Sequence, residues 1–291
     1  MYRDFGSRLV LHETERLAEL VPLLEQIKED GADVLVFAGG DGAYMAGITA
    51  VRSAWGENGD AWPEIALAPG GTVSTTARNW GLHGNLETYT RRLLGDVLTG
   101  VARPTTRSTL RVRDDSGGDR IGFIWGAGLV ARFFDAYYAQ PHAGYAGAAR
   151  IVAEIFLGSP FGGRLAKRVL TPVKCELLVD GERQRASGYS LMVASVVKNL
   201  GLNMQVLYRA GDDPNLVHFV ASPLGAPKLG PQMPLVLAGK PLRGKDHVDA
   251  LAKTIEVRFP EPDAYVLDGD VYGAGRVTVE PGPAIRVLSP G

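Results

Sequence analysis

The period of the apolar residues changes repeatedly along this chain, and each change marks an element. Val34 to Ala38 is a continuous apolar run of strand length, the pattern of a strand covered on both faces. Tyr44, Ile48, Val51 and Trp55 then recur at spacings of four, three and four, a single helical stripe. Between them lies Gly39-Gly40-Asp41-Gly42, where three glycines allow positive φ and close approach of a ligand. Upstream, residues 8 to 12 predict a short strand. Thr14 offers an N-cap for a helix with Leu17, Leu20, Val21, Leu24 and Ile27 on its apolar face. Pro22 inside that stripe predicts a kink or two short helices, and Gly31 a stop. Downstream, Glu64 to Ala68 is a second buried strand entering another glycine turn, Pro69-Gly70-Gly71-Thr72, with a short helix ending near Gly81. Asn85 can cap a further helix that carries Leu86, Tyr89, Leu93 and Val97 on one face. Strands alternating with helices predict a parallel α/β sheet, whose ligands gather at the carboxyl ends of the strands. Both glycine turns lie at those ends.

The pattern changes near Pro104. Thr109 to Arg113 alternates apolar with polar residues, Asp115 to Asp119 is a hairpin-type turn, and Ile121 to Trp125 is a strand leading into Gly126-Ala127-Gly128. Residues 129 to 168 are helical in pattern and rich in Ala and aromatics, broken by Pro141 and by Gly158-Ser159-Pro160. From Thr171 onward, short strands are separated by turn residues at Asp180-Gly181, at residues 210 to 214, at Asp268-Gly269 and at Glu280-Pro281-Gly282, the punctuation of an antiparallel sandwich. The expected organisation is therefore an α/β N-terminal domain over residues 1–104 and a mainly antiparallel β-sandwich domain over residues 105–291.

Composition narrows the functional classes. The 291 residues suffice for one large or two medium domains, and 45% hydrophobic with 22% charged residues is globular rather than disordered. A net charge of −1 without a basic block argues against nucleic-acid binding. The single cysteine, Cys175, excludes an intramolecular disulfide and fits a reducing compartment. The five histidines show no metal-ligand spacing, and His142 reads as a loop residue. No apolar run reaches the roughly 18 residues of a membrane span. The N-terminus is unlike a signal peptide. The expectation is a cytoplasmic protein, with peripheral contact at the inner face of a membrane left open and the oligomeric state undetermined.

The candidate chemistry sits at the first glycine turn. Strand, glycine turn and helix in that order place free N–H groups and a positive dipole end around the carboxylate of Asp41, which suits a phosphate with its metal ion. Alone, the turn is also what an ordinary βα connection looks like; Pro69-Gly70-Gly71-Thr72 in the next unit favours nucleotide binding. Other candidates stay two-sided. On their own Asp270 is a hairpin residue, Thr14 a plain cap and Asp212 with Asp213 a solvated turn; a catalytic, a nucleotide-contacting and a structural-metal role for them are what a family resemblance implies. Phe133, Phe134, Tyr137 and Tyr138 fit core packing, or the wall of an acyl-chain pocket.

These motifs together resemble the diacylglycerol kinase catalytic fold, whose superfamily includes diacylglycerol, sphingosine and ceramide kinases and related bacterial lipid kinases. The resemblance rests on VLVFAGGDG followed by a helix, on IALAPGGT followed by a helix with Ala77-Arg78, on Thr14 upstream, on Gly126-Ala127-Gly128 and on Asp268-Gly269-Asp270. It implies an ATP site with Thr14, Gly39, Gly40, Asp41, Gly42, Gly71 and Thr72 around the nucleotide, Mg²⁺ on Asp41, and Asp270 or Asp41 handling the proton of a lipid hydroxyl. Departures accompany it. The family's first strand and Asn-Pro loop do not precede the match, so the first strand is expected to be missing or encoded upstream. Ala43, Met45 and Ala46 replace Thr, Asn and Glu, Ser74-Thr75 replaces an Asn-Asp pair, and Asp270 replaces Glu. The expected activity is an ATP-dependent lipid kinase acting on diacylglycerol, ceramide or a related long-chain lipid. The alternatives are a non-catalytic nucleotide- or lipid-binding relative, or a kinase for another acceptor such as NAD.

Overall fold

The computed structural model describes residues 6–71, 73–139 and 144–291. A 3-10 turn at Leu17–Glu19 leads into α1 (Leu20–Glu29), followed by β1 (Val34–Gly39), α2 (Asp41–Trp55), β2 (Glu64–Pro69), α3 (Thr75–Asn79), α4 (Leu86–Leu98) and β3 (Arg103–Arg107). Strands β1 and β2 run parallel with Val34 opposite Glu64. The chain then leaves this lobe and returns only at its end, where β16 (Ile285–Ser289) inserts between β2 and β3, parallel to the former and antiparallel to the latter. The boundary expected at 104 thus falls inside β3, and the first lobe is completed by the last strand.

Several local expectations change here. Residues 9–16 form no strand. Thr14 does not cap the first helix: Arg16 is the N-cap of the 3-10 turn, and Glu19 accepts the Glu15 N–H at 3.1 Å. Pro22 falls in the first turn of α1, where its missing N–H has no intrahelical partner to lose, so the helix continues through it. β1 is the edge of its sheet, and only Leu35 in it is buried. Its apolar run reads as doubly covered because Phe37 lies under α2, so close that a Cβ on Gly47 would meet its ring at 2.6 Å. The strand with the buried pattern is β2, whose Ile65, Ala66, Leu67 and Ala68 are fully covered.

The second lobe contains β4 (Leu110–Asp114), β5 (Asp119–Gly122), β6 (Ile124–Gly128), β7 (Val173–Lys174), β8 (Glu176–Val179), β9 (Glu182–Arg183), β10 (Gly188–Tyr189), β11 (Leu191–Ser195), β12 (Val217–Ser222), β13 (Val248–Ala252), β14 (Ile255–Leu267) and β15 (Asp270–Pro281). Ten of these form one antiparallel sheet, ordered β13-β12-β11-β6-β14-β15-β4-β5 with β8 and β9 attached at β14. β14 changes partner along its length, pairing β8 at residues 255–258 and β6 at residues 265–267, with a register shift between. The antiparallel lobe expected from sequence is present, its strands joined in one hydrogen-bonded sheet whose longest strand carries that irregularity. The strand expected at Ile121–Trp125 is broken at Phe123 into β5 and β6.

Helices α5 (Leu129–Tyr138), α6 (Tyr145–Gly158), α7 (Arg164–Val169), α8 (Ala226–Leu229) and α9 (Met233–Leu237) cover one face of this sheet. Polar contacts join the lobes: Thr49 Oγ1 on α2 accepts the Ile121 N–H at 2.9 Å, Arg52 pairs with Asp119 at 2.8 Å, and Asn79 bonds both backbone groups of Asn199. Among the described residues, no helix is long and apolar enough to cross a membrane.

Candidate functional site: an acidic cleft at the end of an apolar cavity

Asp41 is the first residue of α2, with Gly40 as N-cap. Its carboxylate reaches into the next βα unit, accepting the Thr75 N–H at 2.7 Å and the Thr76 N–H at 2.8 Å. It therefore caps α3, whose own N-cap Ser74 has φ of 46° and makes no side-chain cap bond. Ser74 Oγ instead bonds the N–H and the carbonyl of Gly71.

The glycines serve a purpose other than the one their sequence suggests. Gly39, Gly40, Gly42 and Gly71 do not take positive φ. They let two turns pack backbone to backbone: a Cβ on Gly71 would meet the Gly40 Cα at 2.5 Å, and the Gly70 and Gly71 N–H groups both donate to the Gly39 carbonyl. Gly40, Asp41 and Gly71 face the cleft, Gly39 acts from behind, and Thr72 lies outside the described residues. Thr14 is exposed and does not line the cavity.

The second lobe contributes the hairpin between β14 and β15. Asp268 and Gly269 have φ of 51° and 97°, the positive pair a tight two-residue hairpin requires. Asp268 is buried, and its carboxylate accepts the Phe123 and Ile124 N–H groups, each at 2.9 Å, at the break between β5 and β6. Burial, reinforced by the negative charges of Asp41 and Asp270, pushes its pKa well above the usual carboxylate range. Asp270 is more open, and partial desolvation raises its pKa too. Its Oδ2 lies 3.0 Å from where a Cβ on Gly42 would sit, so acidic groups of the two lobes meet across the glycine turn. Among the described residues, no group donates a hydrogen bond to the Asp270 carboxylate. Sequence reasoning placed Asp270 here and treated Asp268 only as a turn residue; its burial depends on the β5–β6 break, which carries no local pattern.

Behind the acids lies a cavity of about 440 Å³ that runs under the helical layer. Asp41, Ser74 and Asp268 stand at its polar end, and Phe133, Val152, Val193 and Met233 are among its apolar walls. Phe134, Tyr137 and Tyr138 also face it. The aromatic stripe of α5 is therefore cavity wall rather than closed core. Tyr138 Oη donates to the Gly269 carbonyl at 2.9 Å, tying that wall to the acidic hairpin. Cys175 is buried and its thiol is pushed up to about 12, which leaves it inert. Asp212 pairs with Lys198 and Asp213 accepts the Asn215 N–H; among the described residues no cluster of acidic, His or Cys side chains could form a metal cage.

Paired βα glycine turns, an antiparallel lobe and acids from both at the seam define a two-lobed kinase-type fold. Residues 1–102 match the model of the diacylglycerol kinase catalytic domain, the family that the two glycine turns and the motifs around them resemble. A diacylglycerol kinase from Bacillus anthracis str. Sterne aligns with a TM-score of 0.62 at 12% identity, over 99% of this chain and 90% of that one. A provisionally named diacylglycerol kinase from the same strain aligns with a TM-score of 0.65 at 13% identity, over 95% of this chain and 82% of that one. At these identities the likeness is one of fold. No curated protein sequence matches the chain.

Proposed function

We propose that this protein is an ATP-dependent lipid kinase, transferring the γ-phosphoryl group to a hydroxyl of a diacylglycerol, ceramide or related long-chain lipid. The observation that carries the reading is the apolar cavity ending at Asp41 and Asp268: it suits a molecule with a long hydrocarbon body and one reactive polar end. Phosphoryl transfer asks the protein mainly for positioning and charge neutralisation. The first turn of α2 offers N–H groups and a positive dipole end to phosphate.

Asp41 offers the oxygen donor that Mg²⁺ prefers, and an ion that keeps much of its water needs no cage of protein ligands. Asp41, held rigid by the α3 N–H groups, would hold the ion through water, and the ion would neutralise phosphate charge. Burial raises the Asp268 pKa most, and the negative charges of Asp41 and Asp270, which add to it, are what a cation beside these acids would offset. Between the two candidate bases, Asp270 is the better placed. Both Asp41 oxygens already accept hydrogen bonds, whereas the Asp270 carboxylate is open and its raised pKa makes it a stronger acceptor. The acceptor hydroxyl gives its proton to Asp270, its oxygen bonds the γ-phosphorus, and ADP leaves with the electrons of the broken bond.

The test is phosphotransfer from labelled ATP to diacylglycerol, monoacylglycerol, ceramide, sphingosine, undecaprenol and NAD, with Asp41→Asn and Asp270→Asn beside the unmodified protein. A labelled lipid that both substitutions abolish supports the proposal. Labelling of NAD alone, or undiminished turnover in both variants, overturns it. One observation favours a silent binder instead: Gly71 N–H is committed to Gly39 and Ser74, and Asp41 to α3, so the turns satisfy themselves. Calorimetry showing lipid affinity without Mg·ATP affinity would select that reading.

A further inference from the structure

The helical layer over the cavity has a charge and a surface that the cleft does not explain. Two stretches remote in sequence build it, one with α5, α6 and α7 (residues 129–139 and 144–170) and one with α8 and α9 (residues 224–245); they share one apolar cluster. Together these stretches contain nine Lys or Arg and two acidic residues, Asp135 and Glu154, in a chain whose net charge is −1. Arg150, Arg164, Lys167, Arg168, Lys228 and Arg243 are among the exposed cations.

At the tip of this layer, between α6 and α7, Leu157 is 74% exposed and Phe161 91% exposed. The turn that carries Phe161 is fixed by backbone bonds from Phe161 and Gly163 to the Gly158 carbonyl and from Gly162 to that of Ser159. The chain thus holds a large aromatic ring outward on an ordered turn, where burial in its own core would be favourable. An apolar tip within a cationic surface is the chemistry of a segment that rests in the headgroup region of an anionic bilayer. The same helix whose end carries Leu157 turns Val152 and Ile155 into the cavity.

We propose that the α6–α7 tip and its cationic surround form a docking surface for an anionic lipid bilayer, with Leu157 and Phe161 entering the interface and the Lys and Arg side chains meeting the headgroups. The choice of a bilayer over a protein rests in part on reading the cavity as a lipid site. Docking is measured without ATP or acceptor, so the two proposals fail separately.

The experiment is cosedimentation of the full chain with vesicles of phosphatidylcholine, with and without phosphatidylglycerol, across a salt series. The unmodified protein is expected to bind the anionic vesicles and to lose affinity as salt rises. Leu157→Ser with Phe161→Ser is expected to weaken binding roughly tenfold or more, given the apolar area withdrawn from the interface. Arg164→Gln with Lys167→Gln and Arg168→Gln is expected to abolish the preference for phosphatidylglycerol. Melting curves of both sets should overlay that of the unmodified protein, because all five side chains are exposed. Equal sedimentation of the variants, or no binding by any form, overturns the proposal. So does a concentration-dependent dimer that the Leu157 and Phe161 substitutions dissolve, which would assign the tip to a second copy of the chain.

Discussion

Asp270, from the second lobe, places its Oδ2 3.0 Å from the point a Cβ would occupy on Gly42, in the first turn of α2. The absent side chain at 42 is thus the gap through which the two lobes bring their acids together. Gly42→Ala leaves the helix unstrained, since the glycine does not need positive φ, and alanine favours a helix by roughly 0.5–1 kcal/mol. The new methyl must displace the Asp270 carboxylate. The expected outcome is an unchanged or slightly raised melting temperature together with a large loss of turnover; retained turnover would show that Asp270 acts elsewhere.

Asp41 has a structural task as well as a proposed chemical one, and the two are separable. Asp41→Ala removes the acceptor for the Thr75 and Thr76 N–H groups and should cost about 1–2 kcal/mol in urea unfolding, the usual range for a lost cap. Asp41→Asn keeps one acceptor oxygen and should cost less stability while losing nearly as much activity. Equal stability losses in the two variants would argue against the capping role.

The hydroxyl of Tyr138 holds the Gly269 carbonyl and with it the turn between Asp268 and Asp270. Tyr138→Phe should lower turnover several-fold, from the loss of about 0.5–1.5 kcal/mol of positioning, without lowering the affinity for nucleotide. Nucleotide titration beside steady-state kinetics separates these effects.

Two titrations follow from the carboxylates. Because the Asp270 pKa is raised, the base is ionised only at higher pH than an ordinary aspartate. The acid limb of the turnover profile should therefore lie above that of an ordinary aspartate, and the residual activity of Asp270→Asn should lack it. Asp114 behaves in the opposite sense. Its buried carboxylate accepts bonds from Ser116 Oγ, Tyr265 Oη, Gly118 N–H and Arg120, which together outweigh desolvation and hold its pKa well below 3.8. A depressed folded-state pKa gives stability that is present above the unfolded value and lost as pH falls through the folded one. Asp114→Asn should thus destabilise by about 1.5–3 kcal/mol at neutral pH, and the gap should close below about pH 3.8 in acid-unfolding measurements.

The cavity itself can be tested by shape. Val152→Phe projects a ring from α6 into the apolar space and should raise KM for long-chain acceptors more than for short-chain ones. An equal effect on both chain lengths would place the hydrocarbon elsewhere.

Features written into short stretches of sequence were legible. The glycine turns, the stripe of α2 and the cap at Asn85, whose Oδ1 accepts the Glu87 N–H at 3.0 Å, depend on neighbours within a few residues. What escaped depends on distant partners. β1 carries a buried pattern at a sheet edge because α2 covers one of its faces. The burial of Asp268 follows from a strand break some 145 residues away. Nor could a basic surface be seen in a chain of net charge −1, because its cations come from two segments that only the fold brings together.

The place of β16 has a consequence for how the chain is made. A nascent polypeptide that has emerged only as far as residue 284 holds α1 to β3 without the strand that must lie between β2 and β3. The lobe begun first is therefore closed only once β16 has been made, and until then its open seam depends on the later-made sheet or a chaperone for protection.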